Sequence, residues 1–151
     1  LYLGCPWFES RRAHTMQNDK KLYVDQKAFI EKDGNILVLH DPLLGLDFPG
    51  GKIQESETDF SEALRREIRE ETGLEVQVGN PFYTWHYTFP QNGHRNAGKE
   101  VYLVGFKCTY LSGEIVLSGE HSEFRWVDSS SYENLKGWGG YYEALRQYFL
   151  E

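Results

Sequence analysis

Residues 59–73 constrain the fold more than any other stretch, because they spell a helix with both ends marked. Asp59 is a good N-cap, and Glu62 three positions later completes a capping-box pattern. Gly73 supplies the stop, since a residue tolerant of positive φ ends a helix sharply. At about 100° per residue, Phe60, Ala63, Leu64 and Ile68 fall on one stripe that should face a core. Glu67 and Glu71 lie on or beside that stripe, roughly 40° apart. Glu62, Arg65 and Arg69 point away from it, and Arg66 stands on its flank, spaced for an ordinary ion pair with Glu70.

The plain alternative for these acids is a solvated helix face, since Glu and Arg are good helix formers. Their placement tells against it for Glu67 and Glu71. Like charges four residues apart cost roughly 0.2–0.5 kcal/mol even in water, and desolvating an unpaired carboxylate costs more. Gln would keep the helix propensity without the charge. Carboxylates gathered at the edge of a buried stripe point to a bound cation. Magnesium suits them, because it prefers carboxylate oxygens and substrate phosphates and keeps some of its waters.

The rest of the chain reads as strands around this helix. Residues 22–31 and 36–40 form a hairpin across the turn Lys32-Asp33-Gly34-Asn35. Residues 41–49 read as a loop, and Lys52-Ile53 as a short extended piece. Val76 and Val78 are expected to begin one strand, and further strands to run over 82–89, 101–109, 115–117 and 124–127, with a closing helix over 141–149. This order predicts an α/β fold of the α+β type, a mixed sheet packed between helices.

With 151 residues the chain can bury one core. Its net charge of −7 disfavours general nucleic-acid binding, although bound cations would still admit a small phosphorylated ligand. No apolar run approaches a membrane span. Cys5 and Cys108 have neither metal-ligand spacing nor a disulfide framework, and a reducing cytoplasm is the simplest compartment. Residues 1–20 read as an N-terminal arm, native or added, in which Trp7 and Phe8 could pack on the domain; residues 21–151 read as the catalytic domain.

The segment from Gly51 onward resembles the signature of the Nudix hydrolase family. Gly51 is followed by five residues and Glu57, and then come Arg66-Glu67-Ile68-Arg69-Glu70-Glu71-Thr72-Gly73-Leu74. One departure is clear: eight residues separate Glu57 from Arg66, where the family usually has seven. Thr58 is assigned as the surplus residue, placed before the helix so that the phase of the acids is kept. The resemblance implies a Nudix-like fold and a hydrolase that cuts a phosphoanhydride bond. Glu67, Glu70 and Glu71, with the main-chain carbonyl of Gly50, are implied as metal ligands for Mg2+, with Mn2+ as the substitute. Arg66 is implied as the arginine that holds one of these acids. Glu57, Gly51 and Gly73 are implied as structural parts of the motif, and Glu71 or Glu67 as the base.

A further acid from a later loop often joins such sites, and Glu120 and Glu123 are the candidates ahead of Glu100. Trp85, Tyr87 and Arg95 are candidates to read the substrate, although alternate aromatics on a strand also simply pack. The expected substrate is a small nucleotide: a nucleoside diphosphate joined to another moiety, such as ADP-ribose or a nucleotide sugar, or a nucleoside triphosphate. A non-catalytic binding module and an RNA-processing enzyme are the competing readings. The aromatic segment from Trp138 to Phe149 is expected to pack on the sheet or to form a homodimer face.

Overall fold

In the computed structural model, residues 18–151 are described. Most of the arm assigned to residues 1–20, with Cys5, Trp7 and Phe8, lies outside them. Seven strands form one sheet: β1 (Tyr23–Lys32), β2 (Asn35–Asp41), β3 (Gly45–Asp47), β4 (Gly50–Lys52), β5 (Glu75–Thr88), β6 (Glu100–Ser112) and β7 (Glu123–Val127). Two α-helices, α1 (Phe60–Thr72) and α2 (Gly139–Leu150), and a 3-10 turn at Tyr132–Leu135 complete the described elements.

The sheet is mixed. β1 runs parallel to β6 over Tyr23 to Glu31 and antiparallel to its other neighbours. Side chains alternate across a strand, so each strand feeds both faces. Ala28, Ile30, Leu37 and Leu39 meet Leu64 and Ile68 of α1. Phe29, Ile36 and Val38 meet Tyr141 and Leu145 of α2. A fully buried Leu or Ile contributes about 1.5–3 kcal/mol, so Leu64 and Ile68 fix the face that α1 presents. The sheet therefore lies between helices, as expected from the order of elements.

The path of β1 matters most for function. It pairs with β2 only next to their turn, through Glu31↔Ile36 and Lys32↔Asn35. Farther back, Asp25, Gln26 and Lys27 pair instead with Lys52, Gly51 and Gly50 of β4, while the end of β2 pairs with β3. The two strands of the hairpin thus part company, and the separation opens into a cleft.

Several details differ from the sequence reading. The loop expected over 41–49 contains β3. The two strands expected after the helix are one long β5, with register shifts around Pro81, a residue that cannot donate to the ladder. Residues 115–117 form no strand. Instead the Val116 and Ser118 N–H groups donate to the carbonyls of Thr72 and Glu71, both at 3.0 Å, which satisfies the end of α1. Phe60 is 53% exposed, because the first turn of α1 extends beyond the core. Glu62 does not complete the capping box; it binds Arg65 and Arg69, while Asp59 accepts from its N–H.

Candidate active site

The acids of α1 are placed by its two caps. Asp59 Oδ1 takes the Glu62 N–H at 3.0 Å, and Gly73 closes the helix at φ 73°, donating its N–H to Arg69 O. Between these points Ala63, Leu64 and Ile68 are buried, and Glu71 follows them inward at 7% exposure. Glu67 is half-buried and Glu70 is exposed.

Gly50 and Gly51 make close approach by α1 possible. The Gly50 N–H donates to Glu71 Oε2 at 2.9 Å. Gly50 has φ 147°, and a Cβ there would lie 1.9 Å from the Gln26 carbonyl oxygen. A Cβ on Gly51 would lie 2.6 Å from Glu67 Cδ. The two glycines thus let main chain and carboxylates touch, as a residue without a Cβ allows.

Arg66 organises the acids from behind. Its guanidinium reaches Glu57 Oε1 at 2.7 Å, Glu67 Oε1 at 2.8 Å and Glu70 Oε2 at 3.0 Å. Glu57 also accepts the Gln54 N–H at 2.8 Å. The extra residue between Glu57 and Arg66 falls in the irregular stretch before α1, and the pair still forms. Burial raises the Glu67 pKa, opposed by Arg66. Burial also lifts Glu71 to about 8, opposed by Lys27 and reinforced by Asp47.

Gly50, Gly51, Glu67, Glu70 and Glu71 line a cleft of about 600 Å³, together with Arg95 and Glu120. Arg95 and Glu120 face each other across two loops in a bidentate pair at 2.7 and 2.9 Å. Other members had no motif to announce them. Lys27 is buried and binds Asp47 Oδ1 at 2.8 Å, and His121 Nε2 stands 3.1 Å from Asp47 Oδ2. Desolvation opposes ionisation of Asp47, but Lys27 and His121 prevail and hold it down at about 2. Lys27 is itself raised, because Asp25 and Asp47 outweigh the effect of burial. Lys52 projects from β4 to Asn96 Oδ1 at 2.7 Å. His94 stacks on Phe89 with ring centroids 5.3 Å apart. The nearest thing to a sequence signal among these is the charged pair Asp25 and Lys27, two residues apart in a strand that also carries Gln26, Glu31 and Lys32. Asp47 and His121 lie 74 positions apart, and no spacing rule links them.

Not every sequence candidate reaches the cleft. Trp85 is buried under α2, edge-on to Tyr141 at 5.3 Å, and Tyr87 packs between Phe89 and Tyr141. Both fill the aromatic core; of their row, Phe89 is the one that lines the cleft. Glu123 opens β7 away from the cleft and pairs with Arg125 at 3.6 Å. Glu100 lies elsewhere, paired with Lys20 at 2.9 Å.

Among the described residues, no three His, Cys, Asp or Glu side chains converge into a ready-made cation cage. The donor set still fits a hard divalent cation: all its members are oxygens, and among the described residues the buried Glu71 carboxylate has main-chain support but no cationic side chain at ion-pair distance. Among the described residues, no helix is long and apolar enough to cross a membrane, which says nothing of a β-barrel.

Comparison with known proteins identifies the family. A family model described as the NUDIX domain matches residues 27–148. The chain belongs to the Nudix family, as one of its pyrophosphohydrolases. It is 32% identical over 80 residues to an 8-oxo-dGTP diphosphatase of Proteus vulgaris, a match covering 50% of this chain and 70% of that protein. It is 46% identical over 57 residues to a CTP pyrophosphohydrolase of Escherichia coli, covering 34% of this chain and 42% of the relative. The crystal structure of a MutT protein from Methanosarcina mazei superposes with a TM-score of 0.70 at 24% identity, over 88% of this chain and 96% of that one, a likeness of fold.

Proposed function

We propose that the protein hydrolyses a phosphoanhydride bond of a nucleoside triphosphate with the help of magnesium. The observation that carries this reading is the pairing of opposite charges across one cleft. Glu67 and Glu71 lie against Gly50 and Gly51 on one side, and Lys52 and Arg95 supply cationic side chains within the same lining. A polyphosphate needs both: cations for its oxygens, and acids to hold a metal and take a proton. The names of the relatives above favour a triphosphate over a nucleotide sugar.

Glu67, Glu70, Glu71 and the Gly50 carbonyl are the groups that would hold magnesium. When bound, the ion would neutralise phosphate oxygens and lower the pKa of the attacking water. The chain's own residues do the rest. The Gly50 N–H orients Glu71, so this acid needs no reorganisation when substrate arrives. Glu67 opens to the cleft, and burial, opposed by Arg66, makes it more basic than an ordinary Glu, which suits it to accept a proton. Arg66 sets the direction of its carboxylate. Lys52 and Arg95 are placed to orient the phosphate chain.

The test is initial-rate hydrolysis of a nucleoside triphosphate panel, with ADP-ribose and a nucleotide sugar included, in the presence of magnesium. Wild type should release pyrophosphate or phosphate, and Glu71→Gln should lose at least about a hundredfold in kcat. Equal rates for the two proteins would overturn the reading.

A further inference from the structure

Four side-chain polar atoms are buried without a hydrogen-bond partner among the described residues: Asp25 Oδ1, Trp85 Nε1, Ser118 Oγ and His121 Nδ1. Three of these residues, Asp25, Ser118 and His121, line the cleft. Buried polar groups are normally paired, and leaving one unpaired is costly. Three along one cavity mark a surface shaped for a ligand. Asp25 is the most demanding of them, since a carboxylate loses most on desolvation, and it is 5% exposed.

Its surroundings explain why the protein leaves it unsatisfied. Asp25 and Lys27 share a face of β1, but the Lys27 ammonium stands 4.0 Å from Asp25 Oδ2. Lys27 is drawn instead to Asp47 Oδ1 at 2.8 Å and the Phe48 carbonyl at 3.4 Å. Asp47 is fully engaged: one oxygen takes Lys27 and the Phe48 N–H, and the other takes His121. The result is a fixed ammonium with a free carboxylate oxygen beside it.

A ligand that satisfies Asp25 must bring a donor. Phosphate oxygens repel a carboxylate, so in a nucleotide the donors are the ribose hydroxyls and the N–H groups of the base. The same cleft is walled by Leu43, Leu44, Phe89 and Tyr141, an apolar and aromatic surface that suits a flat ring. Resting on the triphosphate reading above, we propose that Asp25 determines specificity by accepting an N–H hydrogen bond from the substrate's nucleobase, with Lys27 donating to the acceptor next to it.

The experiment measures kcat/KM for ATP, GTP, CTP, UTP and the triphosphate of unsubstituted purine riboside, whose base carries no N–H. Wild type, Asp25→Leu and Asp25→Asn are compared. Wild type should favour its best substrate over the unsubstituted purine by about tenfold or more, because a polar site rejects a ligand that leaves it unpaired. Asp25→Leu should erase that preference, chiefly through KM. Asp25→Asn, whose amide oxygen still accepts, should keep part of it; this variant decides the matter if the leucine variant does not fold. An equal loss on every triphosphate, the unsubstituted purine included, would overturn the assignment. A ribose hydroxyl as the donor would give that same uniform loss. A loss reversed by more magnesium would also overturn it, by giving Asp25 to the cation. Wild type that hydrolyses no triphosphate would instead overturn the reading on which this one rests.

Discussion

Replacing Glu71 by Gln keeps the shape of the side chain and an acceptor for the Gly50 N–H, but removes its ionisation. Burial lifts the pKa of Glu71 from an ordinary 4.5 to about 8. Between these values the folded chain binds more protons than the unfolded one, so this group's contribution to stability is fully present below pH 4.5 and is lost as pH rises through about 8. At about 1.4 kcal/mol per unit, the loss between about pH 5 and about pH 8 comes to roughly 3–4 kcal/mol. Glu71→Gln carries no such loss. Urea unfolding in EDTA at both pH values should show the variant gaining about 3 kcal/mol on wild type from the lower pH to the higher. Asp47 and His121 titrate in both proteins, so only their coupling to Glu71 remains in the comparison. Adding magnesium at the higher pH should stabilise wild type more than the variant, since a cation favours the ionised carboxylate. Parallel stability profiles for the two proteins in EDTA would refute the claim that Glu71 is buried with its charge uncompensated.

Three other perturbations separate positioning from packing. Arg66→Met leaves half-buried Glu67 without its 2.8 Å partner, and thermal unfolding should show a loss of about 1–2 kcal/mol; Arg66→Lys should restore little, because an ammonium lacks the planar fork that reaches three acids. Gly51→Ala places a methyl 2.6 Å from Glu67 Cδ, so kcat should fall by about a hundredfold while the melting temperature moves by only a few degrees. Trp85→Ala should cost about 3–5 kcal/mol in chemical unfolding, yet change kcat/KM per folded molecule by no more than a few-fold, since its ring does not line the cleft and meets it only through Tyr141.

How much of this was legible in the sequence depends on the range of each interaction. The caps at Asp59 and Gly73 and the phase of Leu64, Ile68 and Glu71 are local, and the helix follows them closely. Arg66 and Glu70 are one helical turn apart, and their pair forms as spacing predicts. Phe60 fails because periodicity says which way a side chain points, not how far the core extends beneath it. The stretch at 115–117 has strand-forming residues, but its N–H groups are taken by the end of a helix more than forty positions earlier, and no local propensity encodes that. The floor of the cleft is the extreme case. Asp25, Lys27, Asp47 and His121 come together only because β1 leaves β2 for β4, and nothing within a window of a few residues reports such a change of partner.

That change of partner also bears on how a cation would enter. Glu67 and Glu70 line the cleft, yet both are drawn toward Arg66, which already answers Glu57 at 2.7 Å. Arg66 and an incoming cation therefore compete for the same two carboxylates, while Glu71, held by the Gly50 N–H, does not take part in the contest. The competitors are unequal. Glu70 is exposed, and a surface ion pair of that kind is worth at most about 1 kcal/mol, so it is the acid most readily surrendered. Glu67 is half-buried, and Gly51 leaves no room for it to retreat toward the main chain. Because α1 is fixed at both caps, the adjustment falls on side-chain rotamers and leaves the helix where it is. Charge balance favours the same outcome: three acids, Glu57, Glu67 and Glu70, surround one guanidinium, and a divalent ion accepted by Glu67, Glu70 and Glu71 would leave Arg66 with Glu57, the partner it holds most closely.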